Sequence, residues 1–261
     1  MVNRNKNTSK RGLIKWLLGA GAGLGLAATM SNEGHTPVNY SPQEAQVIAH
    51  RRHSLKDIEQ ALEAGADMVE FDLRRTKDGE FVAYHDPKIG GRSINGTDYS
   101  ELSGVSKVED LLEHYGDRIK WDTHLKEQGY EADAVDFLDS YLERDSYIIT
   151  SENLESLKKI RGQNPDLQLG LILLKGKLGY KVPLRKLKAR YAPFRLLKDV
   201  VENEIDFIVP DRKFVSRGLL EESGKQGVQV IPWVVDNPQE FQGWLNENSV
   251  YGIITSKPGQ N

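Results

Sequence analysis

The chain predicts a parallel α/β fold, and among such folds a closed (β/α)8, or TIM, barrel over residues 47–261. Three observations carry this reading. Short apolar runs alternate with segments of helical spacing from residue 47 onward, without a strong internal repeat. The length of 261 residues suits one such barrel and is enough to bury a sizeable core. The polar residues His50, Glu70, Asp72, His85, His124 and Lys126 all fall in or just after the carboxyl ends of predicted strands, and a barrel gathers those ends at one mouth. A doubly wound open sheet would also collect them along one edge, and the missing Gly-rich phosphate fingerprint after the first strand counts against a dinucleotide binder.

The elements follow in order. Residues 47–50 are a first apolar run, and Ser54 is an N-cap for a helix whose apolar face is Leu55, Ile58, Ala61 and Leu62 and which Gly65 stops. Residues 69–73 alternate apolar and acidic residues, Lys77-Asp78-Gly79 makes a turn, and residues 81–84 are a second apolar run, which together read as strand, turn, strand. A Gly-containing loop over 89–105 and a short helix over 108–115 lead to the alternating run 119–126. Helix around 132–141, strand 147–150, helix 153–160 and strand 167–174 come next. After the basic stretch 175–200, strand 205–209, helix 219–226, strand 228–235, helix 238–246 and strand 251–255 complete the chain. That makes nine strand candidates, one more than an eight-stranded barrel needs.

Composition bounds the function. With 28% charged and 38% hydrophobic residues the body of the chain is globular, and a net charge of −3 gives no reason to expect nucleic acid as a partner. The absence of cysteine excludes disulfides, zinc–thiolate sites and thiol nucleophiles. Residues 1–30 read as a signal peptide or N-terminal membrane anchor: Arg4, Lys6, Lys10 and Arg11 precede the uncharged run 16–30, and the segment around Lys10-Arg11 is similar to a twin-arginine export signal. The expected location is therefore exported or membrane-anchored, with residues 31–46 as a linker. The stretch 175–200 carries Lys175, Lys177, Lys181, Arg185, Lys186, Lys188, Arg190, Arg195 and Lys198 with Tyr180, Tyr191 and Phe194 among them. It reads as a solvated face or as an insertion that guides an anionic substrate or, like the leader, makes a membrane-surface contact.

Chemistry concentrates between residues 50 and 126. Side chains alternate across a strand, so Glu70 and Asp72 project from one face. Paired carboxylates repel unless a cation lies between them, and hard divalent ions take such oxygen ligands. The alternative is an ordinary half-buried strand with a solvated acidic face. His85 and Asp86 emerge just past a strand end, and Asp122, His124 and Lys126 share one face of a later strand.

Read together, Ala49-His50-Arg51, the run 61–72 ending in Glu70-Phe71-Asp72, Thr76-Lys77-Asp78-Gly79 and His85-Asp86-Pro87 resemble the glycerophosphodiester phosphodiesterase family. Residues 233–237 and 252–258 resemble its closing motifs, so the likeness spans roughly 46–258. The resemblance implies a TIM barrel that hydrolyses glycerophosphodiesters with a divalent ion, Mg²⁺ or Ca²⁺. It implies His50 and His85 as the acid–base pair, Arg51 and Lys126 on the phosphate, and Glu70 and Asp72 on the metal. Two departures stand out. The family's loop ending in Pro-Glu-Asn-Thr is missing, which leaves Arg52 or His53 near the place of its glutamate. The acid two residues before the strand lysine is replaced by His124, with Asp122 two residues further back, and either could be the third ligand. A histidine there moves the preference towards Mn²⁺ or Zn²⁺. The substrate expected is a small phosphodiester or lysolipid. The departures also allow a barrel that binds a phosphorylated ligand or lipid head group without turnover, and the shared fold allows a sphingomyelinase D-like enzyme releasing cyclic phosphate.

Overall fold

The computed structural model describes residues 45–173 and 192–259. The leader 1–30, nearly all of the linker and residues 175–191 of the basic stretch lie outside the described residues. Eight strands form the barrel: β1 (Gln46–Ala49), β2 (Met68–Arg75), β3 (Lys120–Leu125), β4 (Tyr147–Ser151), β5 (Leu169–Leu173), β6 (Phe207–Pro210), β7 (Gln229–Val230) and β8 (Gly252–Thr255). They run parallel in the order β7-β6-β5-β4-β3-β2-β1-β8. The ring closes between its two ends. Val230 N–H donates to Ser249 O (2.8 Å), Tyr251 N–H to Val230 O (3.0 Å), and Ile254 N–H to Pro232 O (3.0 Å).

Helices α1 (Leu55–Glu63), α2 (Val108–Tyr115), α3 (Glu131–Asp139), α4 (Leu154–Gln163), α5 (Ala192–Glu202), α6 (Arg217–Lys225) and α7 (Pro238–Leu245) alternate with the strands. Their ends follow local chemistry. Ser54 accepts the N–H of Asp57 (3.2 Å) at the start of α1, and Gly65, with φ of +77°, takes the left-handed turn that ends it. Asn153, Ser216 and Asn237 cap α4, α6 and α7 in the same way.

The ninth strand candidate is not a barrel strand. Phe81–Ala83 turns back antiparallel on the end of β2, pairing Leu73 with Ala83 and Arg75 with Phe81, and is flanked by Ser106–Lys107. It opens an excursion between β2 and α2 that holds a small hairpin, Lys88–Ile89 with Arg92–Ser93, where sequence predicts a plain loop. The expected strand over 228–235 pairs regularly at Gln229–Val230 alone, because Pro232 has no N–H to place in the ladder. Of the basic stretch, the described part from Ala192 belongs to α5.

Two layers of core result. Val69, Phe71 and Leu73 face outward against the helices together with Trp121 and Ile149. Ile48, Met68, Ile148, Phe207, Ile231 and Tyr251 fill the interior of the ring. Gly170 makes room there, since a Cβ would stand 2.9 Å from Thr150 and 3.1 Å from Val209.

Candidate active site

Both faces of β2 are buried, which overturns the solvated-face alternative: Glu70 is 4% exposed and Asp72 1%. The acids point into the barrel, above the apolar plug. Register explains their neighbours. Glu70 lies opposite Asp122 and Asp72 opposite His124, so two rungs of the β2–β3 ladder carry four polar groups side by side. One pocket at the carboxyl ends of the strands is lined by His50, Arg51, Glu70, Asp72, His85, Asp122, His124 and Lys126, which brings every sequence-predicted site residue together.

Asp72 is the hub. His124 Nδ1 and Lys126 Nζ each lie 3.2 Å from its Oδ1, and His53 Nε2 lies 2.9 Å from its Oδ2. Burial alone would raise its carboxyl, but the hydrogen bonds from His124 and His53 and the charges of His124 and Lys126 outweigh it and hold Asp72 well below the usual range. Glu70 goes the other way. Burial, then the charges of Asp72 and Asp122, push it well above the usual carboxylate range. Burial likewise raises Asp122 to about 7, although Thr150 Oγ1 donates to its Oδ1 at 2.7 Å.

Glu70, Asp72 and His124 present ligand atoms that all lie within 4.8 Å of one another. Two buried carboxylates at this spacing, with a histidine beside them, make a donor set that a divalent ion fits. Of the two candidates for the third ligand, His124 belongs to this group and Asp122 lies outside it, one rung deeper. His124 Nε2 and Asp122 Oδ2 are buried without a hydrogen-bond partner.

The β1 end is tied to this centre. Arg51 sits at φ +53°, a strained value for a residue with a Cβ. Its N–H donates to Glu70 Oε2 (2.7 Å) and the next N–H, of Arg52, to Glu70 O (2.8 Å), which offsets the strain. His50 Nε2 lies 4.0 Å from the same Glu70 oxygen. Burial, reinforced by Arg51, lowers the His50 imidazole to about 4, so it is neutral at physiological pH.

His85 stands at the mouth. Arg51 Nη2 lies 2.6 Å from its Nε2 and Asp86 Oδ1 2.7 Å from its Nδ1. A guanidinium can only donate, so Nε2 is the accepting nitrogen and Nδ1 carries the proton that goes to Asp86.

Of Arg52 and His53, the two residues that the sequence leaves near the place of the lost loop glutamate, it is His53 whose ring the direct run from Arg51 into α1 brings onto Asp72. Sequence reasoning missed several other participants. Glu152, Thr150, Ile172, Val209, Trp233 and Ile254 complete the lining. Trp233 had a signal, its place in a closing motif. The aliphatic residues had none.

A barrel that gathers two imidazoles, a guanidinium, an ammonium and a cation-ready acidic pair at one mouth defines the class: a TIM-barrel hydrolase of phosphoric diesters. The sequence model of the glycerophosphoryl diester phosphodiesterase family matches residues 44–114 and 106–260, and the chain belongs to that family. A glycerophosphodiester phosphodiesterase of Caldanaerobacter subterraneus subsp. tengcongensis is 26% identical over 248 residues, covering 81% of this chain and 94% of the relative. Among solved structures, a glycerophosphodiester phosphodiesterase from Parabacteroides distasonis superposes with a TM-score of 0.68 at 19% identity, covering 84% of this chain and 95% of the other. A phosphodiesterase from Oleispira antarctica, solved with the product sn-glycerol-3-phosphate, gives 0.66 at 17% identity, covering 83% and 95%.

Proposed function

We propose that the protein is a metal-dependent hydrolase of glycerophosphodiesters that releases an alcohol and glycerol phosphate by histidine acid–base catalysis. The observation that carries this is the convergence of Glu70, Asp72 and His124 as one ligand group in the pocket that also holds His50 and His85. A divalent ion bound there would offset charge on the phosphate oxygens. His124 in place of a carboxylate removes one negative charge from the donor set, which favours Mn²⁺ or Zn²⁺ over Mg²⁺ or Ca²⁺.

The chain's own groups divide the remaining work. Arg51 and Lys126 offer donors to the diester anion, and turning Arg51 onto the phosphate frees His85 Nε2. His50, kept neutral by burial, takes the proton of the attacking water. His85, oriented by Asp86, takes a proton from solvent on the freed Nε2 and gives it to the departing alkoxide oxygen as the P–O bond breaks, so that the leaving group departs as a neutral alcohol. Ile172, Val209, Trp233 and Ile254 form the apolar wall opposite, which suits the alcohol portion of a small diester or lysolipid.

The test is a metal-by-substrate screen of chelated, reloaded protein on glycerophosphodiesters, with phosphorus NMR of the products. Metal-dependent release of glycerol phosphate is expected. Stoichiometric metal binding without hydrolysis of any diester would instead mark a binding barrel, and a cyclic phosphate would mark an intramolecular attack. Residues 1–30 further support export or membrane anchoring, and the basic residues of 175–200 support contact with an anionic membrane surface. Fractionation of cells expressing the full chain tests the first, and vesicle sedimentation the second.

A further inference from the structure

Arg74 has no role in the chemistry above, yet its side chain is buried at the barrel mouth, 5% exposed. It stands two residues beyond Asp72 on β2 and so shares the face that carries Glu70 and Asp72. A buried guanidinium must satisfy its donors, because an unpaired charge there is costly. Arg74 directs them at one segment. Nε donates to the carbonyls of Tyr84 (3.1 Å) and His85 (3.2 Å), and Nη2 donates to His85 O at 2.6 Å. Nη1 bonds the carboxylate of Glu127, which follows Lys126 just past the end of β3.

We propose that Arg74 is a positioning residue for His85: its fork, steered by Glu127, clamps the His85 carbonyl and so sets where the imidazole stands relative to Asp72, His124 and Lys126. This rests on the acid–base reading of His85. The clamp sits where the chain leaves the sheet. Tyr84 N–H donates to Asp72 O at 3.0 Å, and beyond that bond the backbone departs from β2 towards the excursion. Holding the next carbonyl stops rotation about that point, and a proton donor displaced by about 1 Å can lose about a hundredfold in rate. A planar guanidinium can reach two adjacent carbonyls and a carboxylate at fixed angles, whereas an ammonium cannot reproduce the fork. A role as counter-charge for the metal ligands is the weaker account, since Lys126 Nζ already lies 3.2 Å from Asp72 while Arg74 is engaged by Glu127.

The experiment compares the full chain with Arg74→Lys and Glu127→Gln, each also in a His85→Ala background, on glycerophosphocholine with Mn²⁺. Arg74→Lys is expected to lower kcat by about 10- to 100-fold with little change in KM, and to leave Mn²⁺ affinity, read by electron paramagnetic resonance, unchanged. Glu127→Gln should move kcat in the same direction by less. In the His85→Ala background neither change should cost anything further. A raised KM, weakened Mn²⁺ binding or a full additional loss without His85 would overturn the proposal. An arm free of turnover uses the imidazole Cε1–H signals, with His85 assigned by its absence in His85→Ala. The His85 signal should shift in Arg74→Lys while those of His50 and His53 stay, and an unmoved His85 signal also overturns the proposal. If the wild-type protein cleaves no diester, the hydrolase reading fails and the imidazole signals alone decide the clamp. Should Arg74→Lys not fold, as seen by thermal melting, Glu127→Gln carries the same readings.

Discussion

The two halves of the barrel mouth line one pocket with opposite chemistry. From β1 to β4 come His50, Arg51, Glu70, Asp72, His85, Asp122, His124, Lys126, Thr150 and Glu152, while β5 to β8 bring Ile172, Val209, Trp233 and Ile254. Equivalent positions on equivalent strands thus hold either charge or hydrocarbon. The fold supplies the positions and the side chains decide the work. The halves also depend on each other. An apolar wall keeps the local dielectric low, which strengthens every electrostatic contact across the pocket and pushes the carboxyls of Glu70 and Asp122 upward through burial.

The comparison breaks most sharply at the imidazoles. His50→Ala or His85→Ala is expected to cut kcat by roughly 10²- to 10⁴-fold, measured at saturating metal and substrate. Retained turnover in either variant sinks the acid–base assignment. Next comes the ligand group. His124→Ala should weaken divalent-metal binding by at least about 10- to 100-fold, and His53→Ala, through Asp72, by less, with calorimetric titration as the measurement. Equal losses from both would make His53 a ligand in its own right.

The apolar half should respond differently. Trp233 is fixed by its own Nε1–H, which donates to Val209 O at 3.0 Å. Trp233→Ala is expected to raise KM by roughly tenfold with a smaller change in kcat. A kcat loss as large as that of the histidines would erase the division between the halves.

The smallest effect on turnover belongs to Asp122→Asn, whose consequence is a stability that depends on pH. Burial raises the Asp122 carboxyl to about 7 in the folded protein, above its ordinary unfolded value. The folded state then holds the extra proton between about pH 4 and 7, so this group loses stability for the chain as pH rises through that window. Asparagine has no proton to gain or lose over this range. The advantage of Asp122→Asn should grow from pH 5 to pH 7 and level off above, reaching on the order of a few kcal/mol. Denaturation of metal-free protein at pH 5, 7 and 8 checks this, and a constant offset would contradict it.

Much of this was legible in the chain. Alternation put Glu70 and Asp72 on one face, and Ser54 and Gly65 marked the ends of α1. The same alternation cannot tell a barrel strand from an antiparallel return, which is why the run 81–84 stands among nine strand candidates with nothing to mark it as the extra one. Nor could it separate Asp122 from His124 as ligand. They share a face, and depth is set by register against Glu70 and Asp72 on the neighbouring strand. Ile172, Val209 and Ile254 read as core, because an aliphatic residue that lines a pocket looks like one that fills a barrel.

By itself the sequence determined the strand–helix rhythm, the capping and the roster of polar groups, because these depend on neighbours within a few positions along the chain. The tertiary structure decided which groups meet: His53 on Asp72 across 19 positions, Arg51 on His85 across 34 and Arg74 on the carbonyl of His85 across 11. Closing the ring of strands sets those distances, and with them the burial that moves each charge.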